Sequence, residues 1–239
     1  MAVKNTLVKQ ETKEKGVAEY KANGEPVKLS ASVIKQYLVS GRGNVTNEEV
    51  FMFLSVCRYQ HLNPFLREVY LIKYSDSDPA AIVVGKDTLL KRAKREPSFL
   101  GFQAGIIVES EAGLEEREGT FYQKDIETIV GGWAKVFVKG YDVPFYESVP
   151  LDEYIGRKRD GSPNGQWSQK PATMIRKVAL MHALREAFPE QNSGLYSQEE
   201  IQAAQDVVLD EAAVTIAEAP EASEKETPKI ESAEDALFS

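Results

Sequence analysis

Cys57 and His61 stand four residues apart in CRYQH, a spacing that could bring both to one metal ion on a helix. A structural zinc site needs about four such ligands. The only other histidine or cysteine in the chain is His182. The pair therefore reads as co-packing at a helix end, and Cys57, last in FMFLSVC, as a core thiol. VVGKDT has the Gly-Lys of a phosphate loop, but Ala80 stands where the upstream glycine belongs. Asp87 replaces the hydroxyl that would hold magnesium, so ATP binding is not expected. Asp87, Glu109, Asp142, Glu147 and Asp152 could serve a metal-dependent nuclease. No Asp-x-Lys or Glu-x-Lys falls on a predicted strand, so each reads as a solvated or capping carboxylate. No Ser/His/Asp arrangement points to covalent catalysis.

What remains is binding chemistry. Residues 86–95, KDTLLKRAKR, hold five cations and one anion: Lys86, Lys91, Arg92, Lys94 and Arg95 against Asp87. Residues 153–185 hold seven cations and two anions, with Arg157, Lys158, Arg159, Lys170, Arg176 and Arg185 among the cations. Phe99 and Phe102 adjoin the first segment, and Tyr154 and Trp167 lie in the second. Interleaved cations and rings suit nucleic acid, because phosphates attract Lys and Arg while bases stack on aromatic faces. The alternative is a solvated, salt-bridged surface.

The elements that would hold these residues are legible in outline. Thr46 followed by Glu49 is a capping box opening a helix that carries Val50, Phe53, Leu54 and Cys57 at helical spacing. A shorter helix is expected over ASVIKQYLVSG (31–41), ending at Gly41. EVYLIKY (68–74) and AAIVVG (80–85) read as a hairpin, followed by a helix with Asp87 as N-cap. GFQAGIIVE (101–109), TIVGGWAKVFVKG (128–140) and VPFYESVP (143–150) are three further strands, with GLEEREG as a hairpin loop of weak strand character. LDEYIGRKRDGSPNGQ reads as an exposed loop. A helix is expected over about 171–188, stopping before Pro189, and a last short one over SQEEIQAAQD (197–206).

The 171–188 helix is unusual. With Ile175 at 0°, Met174, Leu180, Met181, Leu184 and Phe188 fill an arc of roughly 120° to 260°. Ile175, Val178 and Ala179 lie opposite, so the helix seeks burial nearly all round. Yet Arg176, Lys177 and Arg185 sit among the apolar groups, and Glu186 is the only acid close by on the helix. Buried cations without partners cost several kcal/mol, which argues for phosphate contact.

These pieces imply an α+β protein: a short antiparallel sheet packed with helices. The chain of 239 residues carries a formal net charge of -8. Residues 197–239 hold 12 Asp and Glu against 2 Lys, so the rest of the chain is slightly basic. Residues 1–28 read as a flexible N-terminal arm, 29–206 as the nucleic-acid-binding core, and 207–239 as an acidic disordered tail. The tail's end, IESAEDALFS, could mimic a nucleic-acid strand and occupy a basic groove. No apolar run is long enough for a membrane span or signal peptide, so a cytoplasmic protein is expected.

Three stretches resemble the phage single-strand annealing recombinases of the RecT/Redβ (Bet) family. They are HLNPFLREVYLIKY, AAIVVGKDTLLKRA and NGQWSQKPATMIRKVALMHALREAFPEQNSGLYSQEE. The shared residues are Leu62-Asn63-Pro64, Glu68-x-Tyr70, Val84-Gly85-x-Asp87 and Trp167 before Pro171. Met174, Arg176, Arg185, Ala187-Phe188 and Gly194-x-Tyr196 follow in the same order. The resemblance covers roughly residues 45–200, and its Trp-to-Phe block is the most specific part.

The resemblance implies a protein that coats single-stranded DNA and anneals it through a duplex intermediate, without ATP, cofactor, metal or catalytic residue. It implies a homo-oligomer, ring or helical filament, in a bacterial host cell and of phage or prophage origin. A phage exonuclease and a host single-strand-binding protein would be its partners. It places Arg67 at a DNA-facing position, has Arg176 and Arg185 neutralise phosphates, and lets Trp167 stack on a base or close the groove. Where some members carry a basic pair after the proline, this chain has Ala172-Thr173, with Lys170 or the Arg157-Lys158-Arg159 loop as substitutes. The rival readings are a metal-dependent nuclease and a passive single-strand-binding protein of another fold.

Overall fold

The computed structural model describes residues 17–158 and 160–202. The expectations for residues 1–16, for Arg159 and for the acidic tail lie outside them. The chain is mixed α+β, with three small sheets and several helices.

Residues 17–28, expected in a flexible arm, instead form most of a hairpin. Strand β1 (Val17–Ala22) pairs antiparallel with β2 (Glu25–Ser30). Asn23 and Gly24 make the two-residue turn, both at positive φ, the backbone this tight turn requires. Ala22, Val27 and Leu29 are buried, and the Tyr20 hydroxyl donates to the Leu62 carbonyl at 2.7 Å. Apolar burial on one face outweighs the charge on the other.

The helix expected over 31–41 is also shorter. Helix α1 (Ala31–Val33) runs into a π-helical turn at Ile34–Leu38. Val39–Gly41 is then strand β3, parallel to β4 (Val69–Lys73), which pairs antiparallel with β5 (Ala81–Val84). The sheet content is thus neither single nor wholly antiparallel. Between β3 and β4 runs α2 (Asn47–Tyr59), opened by the expected capping box of Thr46 and Glu49. Glu49 also accepts from the Lys73 ammonium at 2.7 Å and the Ala80 amide at 2.8 Å. Lys73 can therefore sit on the buried face of β4 beside Val69 and Leu71. The Lys73 ammonium, with the Thr46 and Ala80 amides, holds the Glu49 carboxyl at about 2.

Helix α3 (Lys86–Ala93) follows β5. Its N-cap is Gly85 rather than Asp87, and no side chain caps it. The third sheet has the order β7-β6-β8-β9, built from β6 (Phe99–Ser110), β7 (Gly113–Glu118), β8 (Thr128–Val138) and β9 (Phe145–Pro150). The GLEEREG stretch is a full edge strand, its exposed charges facing solvent. Short helices α4 (Leu151–Tyr154) and α5 (Gly165–Gln169) interrupt the expected loop, and Arg157 bridges to Pro163.

Helix α6 (Pro171–Ala187) lies across β8, β9 and β6. A Cβ at Gly132 would stand 2.7 Å from the Ile175 carbonyl oxygen, so this approach depends on glycine. Eight α6 residues from Ala172 to Leu184 are buried, in keeping with its all-round apolar character. Helix α7 (Pro189–Asn192) and a helical stretch at 198–202 close the described chain. No helix among the described residues is long and apolar enough to cross a membrane.

Candidate nucleic-acid interface

A cavity of about 550 Å³ opens between the 63–67 turn, the β4–β5 hairpin and the start of α3. Arg67, Lys86 and Lys91 line it, together with Leu66, Tyr70, Asp87, Lys177 and Gln198. The turn aims Arg67 because the chain folds tightly there. Asn63 Oδ1 accepts from the Phe65 amide at 3.0 Å, and Pro64–Leu66 makes one 3-10 turn. Arg67 then takes a left-handed conformation (φ 58°) with its amide donating to the Pro64 carbonyl.

Buried Glu68 anchors this turn. It accepts from the Asn63 amide and from Asn23 Nδ2, both at 2.9 Å, while its own carbonyl accepts from Gly85 and Thr88. Glu68 lies 3.8 Å from the Lys91 ammonium. Arg67 and Lys86 are exposed and have no hydrogen bond or ion pair to another side chain among the described residues. The first turn of α3, lacking a side-chain cap, adds a positive dipole end to the same wall.

On its other side α3 borders a smaller cavity of about 230 Å³, lined by Lys91, Arg92, Arg95, His61 and Asn23 among others. The structure thus gathers five of the expected cations, Arg67, Lys86, Lys91, Arg92 and Arg95, around one helix. Arg92 is the least available of them. Its guanidinium donates to the Gln60 carbonyl and side chain and to the Gln191 carbonyl, and burial lowers its pKa. Lys94 is exposed on the same segment but lines neither cavity.

The second basic segment behaves differently. Trp167, expected to stack or close a groove, is only 2% exposed. Its ring lies against Gly156, where a Cβ would be 3.1 Å from it. Arg176, expected on phosphate, donates from Nε to the Ala104 carbonyl of β6 at 3.0 Å. Arg185, likewise expected on phosphate, donates to the Leu195 carbonyl at 3.1 Å and pairs with Glu200 at 2.7 Å. Its guanidinium also stacks 4.7 Å from the Tyr196 ring centre. Lys177 holds both carboxylate oxygens of Glu199, at 2.9 and 2.7 Å.

The supposed shortage of acids near α6 is therefore corrected. Glu199 and Glu200 supply them from 195–202, a segment that folds back on α6 shortly after its end. Ser197 and Glu200 form a reciprocal capping pair, the Ser197 amide donating at 2.7 Å and the Glu200 amide at 3.3 Å. Burial pushes the Glu200 carboxyl up, but His182, Arg185 and the Ser197 amide together outweigh it and hold it at about 2.

Arg157, Lys158 and Lys170 are exposed and line neither cavity, and Arg157 Nη1 donates to the Gly161 carbonyl at 3.0 Å. Cys57 is buried, and burial pushes its thiol up to about 12. His61 is apart from it in role, its Nδ1 sitting 2.9 Å from the Lys21 carbonyl. Sequence reasoning missed Leu66 and Tyr70 as cavity walls. Leu66 is signalled only by its place beside Arg67, whereas Tyr70 stands in the shared Glu68-x-Tyr70 pair.

Two comparisons bear on this arrangement. The model of the RecT family matches residues 24–215. An uncharacterized protein of Ureaplasma parvum serovar 3 is 34% identical over 129 residues, 54% of this chain and 49% of that one. The match thus spans about half the length of that relative. Both the cavity around α3 and the 195–202 segment lie inside the family match.

Proposed function

This chain belongs to the RecT family, whose members bind single-stranded DNA and anneal it in recombination, and from that premise we propose that it does so without ATP, through the cavity around α3. The observation that carries this reading is the convergence of Arg67, Lys86 and Lys91 on one cavity wall beside an uncapped helix start. Each cation offers a phosphate contact whose strength comes from counterion release, independent of base sequence. Arg95 extends the charge along α3 toward the second cavity. Residues 29–206, together with the β1–β2 hairpin, make the DNA-binding and oligomerising core.

The protein works as a homo-oligomer, a ring or a helical filament, in the bacterial cytoplasm. Its partners are a phage exonuclease, which supplies its single strands, and a host single-strand-binding protein. Labelled complementary oligonucleotides, incubated with the protein without ATP, with and without magnesium, test the reading. Faster formation of duplex from intact strands is expected under both conditions. Strands shortened in magnesium would make the protein a nuclease instead. Slowed annealing would make it a passive strand binder.

A further inference from the structure

Phe65 and Leu66 are consecutive, large, apolar and exposed, at 51% and 59%. Neither joins the hydrophobic core. Leaving such side chains in water forgoes a favourable burial term, and a mobile loop could at least let them turn inward. This turn is not free to do so. Asn63 receives the Phe65 and Leu66 amides on its side-chain and backbone oxygens, Arg67 is locked in a left-handed conformation, and Glu68 ties the turn's base to the β1–β2 hairpin and α3. A rigid scaffold thus holds an apolar tip outward. Leu66 lines the same cavity as Arg67, Lys86 and Lys91.

We infer that the Phe65–Leu66 tip is the base-contacting element of this site, resting on the DNA-binding reading above. Cations take the phosphates of an unpaired strand, and the apolar tip next to them meets the bases that strand leaves exposed. Charge on the adjoining wall decides the occupant, since a polyanion with flat apolar faces is what fits cations and an exposed ring together. The tip fills the role expected of Trp167, whose ring is buried.

The test uses the full chain and two fluorescent strands of equal length, one of thymidines and one of abasic deoxyribose phosphate. Phe65→Ala with Leu66→Ala should bind the thymidine strand about tenfold more weakly, in the range of one lost base-stacking contact. Its affinity for the abasic strand, its melting temperature and the slope of log K against log salt should not change. Phe65→Tyr with Leu66 intact should bind as the parent does. Equal losses on both strands would overturn the inference, as would no loss on either. A loss on both strands accompanied by smaller assemblies in gel filtration would overturn it too, making the tip a contact between copies. Arg67→Ala separates the two claims, because it should weaken both strands and flatten the salt slope. If it binds like the parent, the DNA-binding reading of this cavity falls, not only the tip.

Discussion

The cations beside α3 and those on α6 stand in opposite circumstances. Along α3 and the 63–67 turn, Arg67, Lys86, Lys91, Lys94 and Arg95 stay exposed, with one weak ion pair among them. Along α6, Arg176, Lys177 and Arg185 each have a partner within the chain. A cation's residue type and local spacing do not decide between these fates. What decides is whether another segment brings an oxygen to it. Here residues 195–202 bring two carboxylates and a carbonyl to α6 and leave the cations beside the cavity to solvent.

The largest test of the contrast is Arg185→Ala. Removing Arg185 leaves buried Glu200 with only His182 and the Ser197 amide, and leaves the Leu195 carbonyl without its donors, so we expect a loss of about 3 kcal/mol in denaturant unfolding. Phosphate contact as its main role would instead show as weaker DNA binding with stability unchanged. Acid provides the next test. Glu200 is held at about 2 in the folded chain, below the unfolded value near 4.3. Its contribution is complete above that unfolded value and is lost as pH falls toward 2, at most about 3 kcal/mol. Glu49 acts in the same direction over the same window. Glu200→Gln should therefore lower stability at neutral pH and flatten its decline between about pH 4.5 and 2. An unchanged acid profile in that variant would remove Glu200 from the account.

Lys177→Met should cost about 1 kcal/mol of stability, because buried Glu199 loses a partner that is itself partly exposed. Single-strand affinity should change little. The smallest stability effect belongs to the other segment. Arg67→Ala with Lys86→Ala should leave the melting temperature in place and reduce the salt slope by about 1.4, two contacts at about 0.7 each. An unchanged slope would erase the distinction between the two regions.

Much of this was readable from the sequence where the signal was local. Thr46 and Glu49 announced α2, Pro189 marked the end of α6, and the apolar stretches at 101–109 and 128–140 marked β6 and β8. The β1–β2 hairpin was hidden by its charged outer face, although Asn23-Gly24 between two short alternating runs was a usable turn signal. The start of α3 was misplaced because Asp87 has capping chemistry but sits inside the first turn, where Gly85 already holds the extended backbone. Of the candidate site, the α3 cations were legible as a cluster. The engagement of Arg176 and Arg185 was not, since it depends on Ala104, Leu195 and Glu200, and only three-dimensional packing brings those groups to α6. Burial of Trp167 had no local signal at all.

The Arg92 guanidinium joins the carbonyls of Gln60 and Gln191, and the Val84 amide at the free edge of β5 donates to the Tyr196 carbonyl at 2.9 Å. These links reach across about a hundred residues, from the first half of the chain to residues 191–196. During synthesis the hairpin, α2, β4, β5 and α3 all leave the ribosome before residues 191–196 exist. Until then the edge of β5 is an open template and Arg92 lacks one of its acceptors. The half that carries the cavity is thus finished last, and a nascent chain stalled before residue 191 would display an unpaired strand edge to its neighbours.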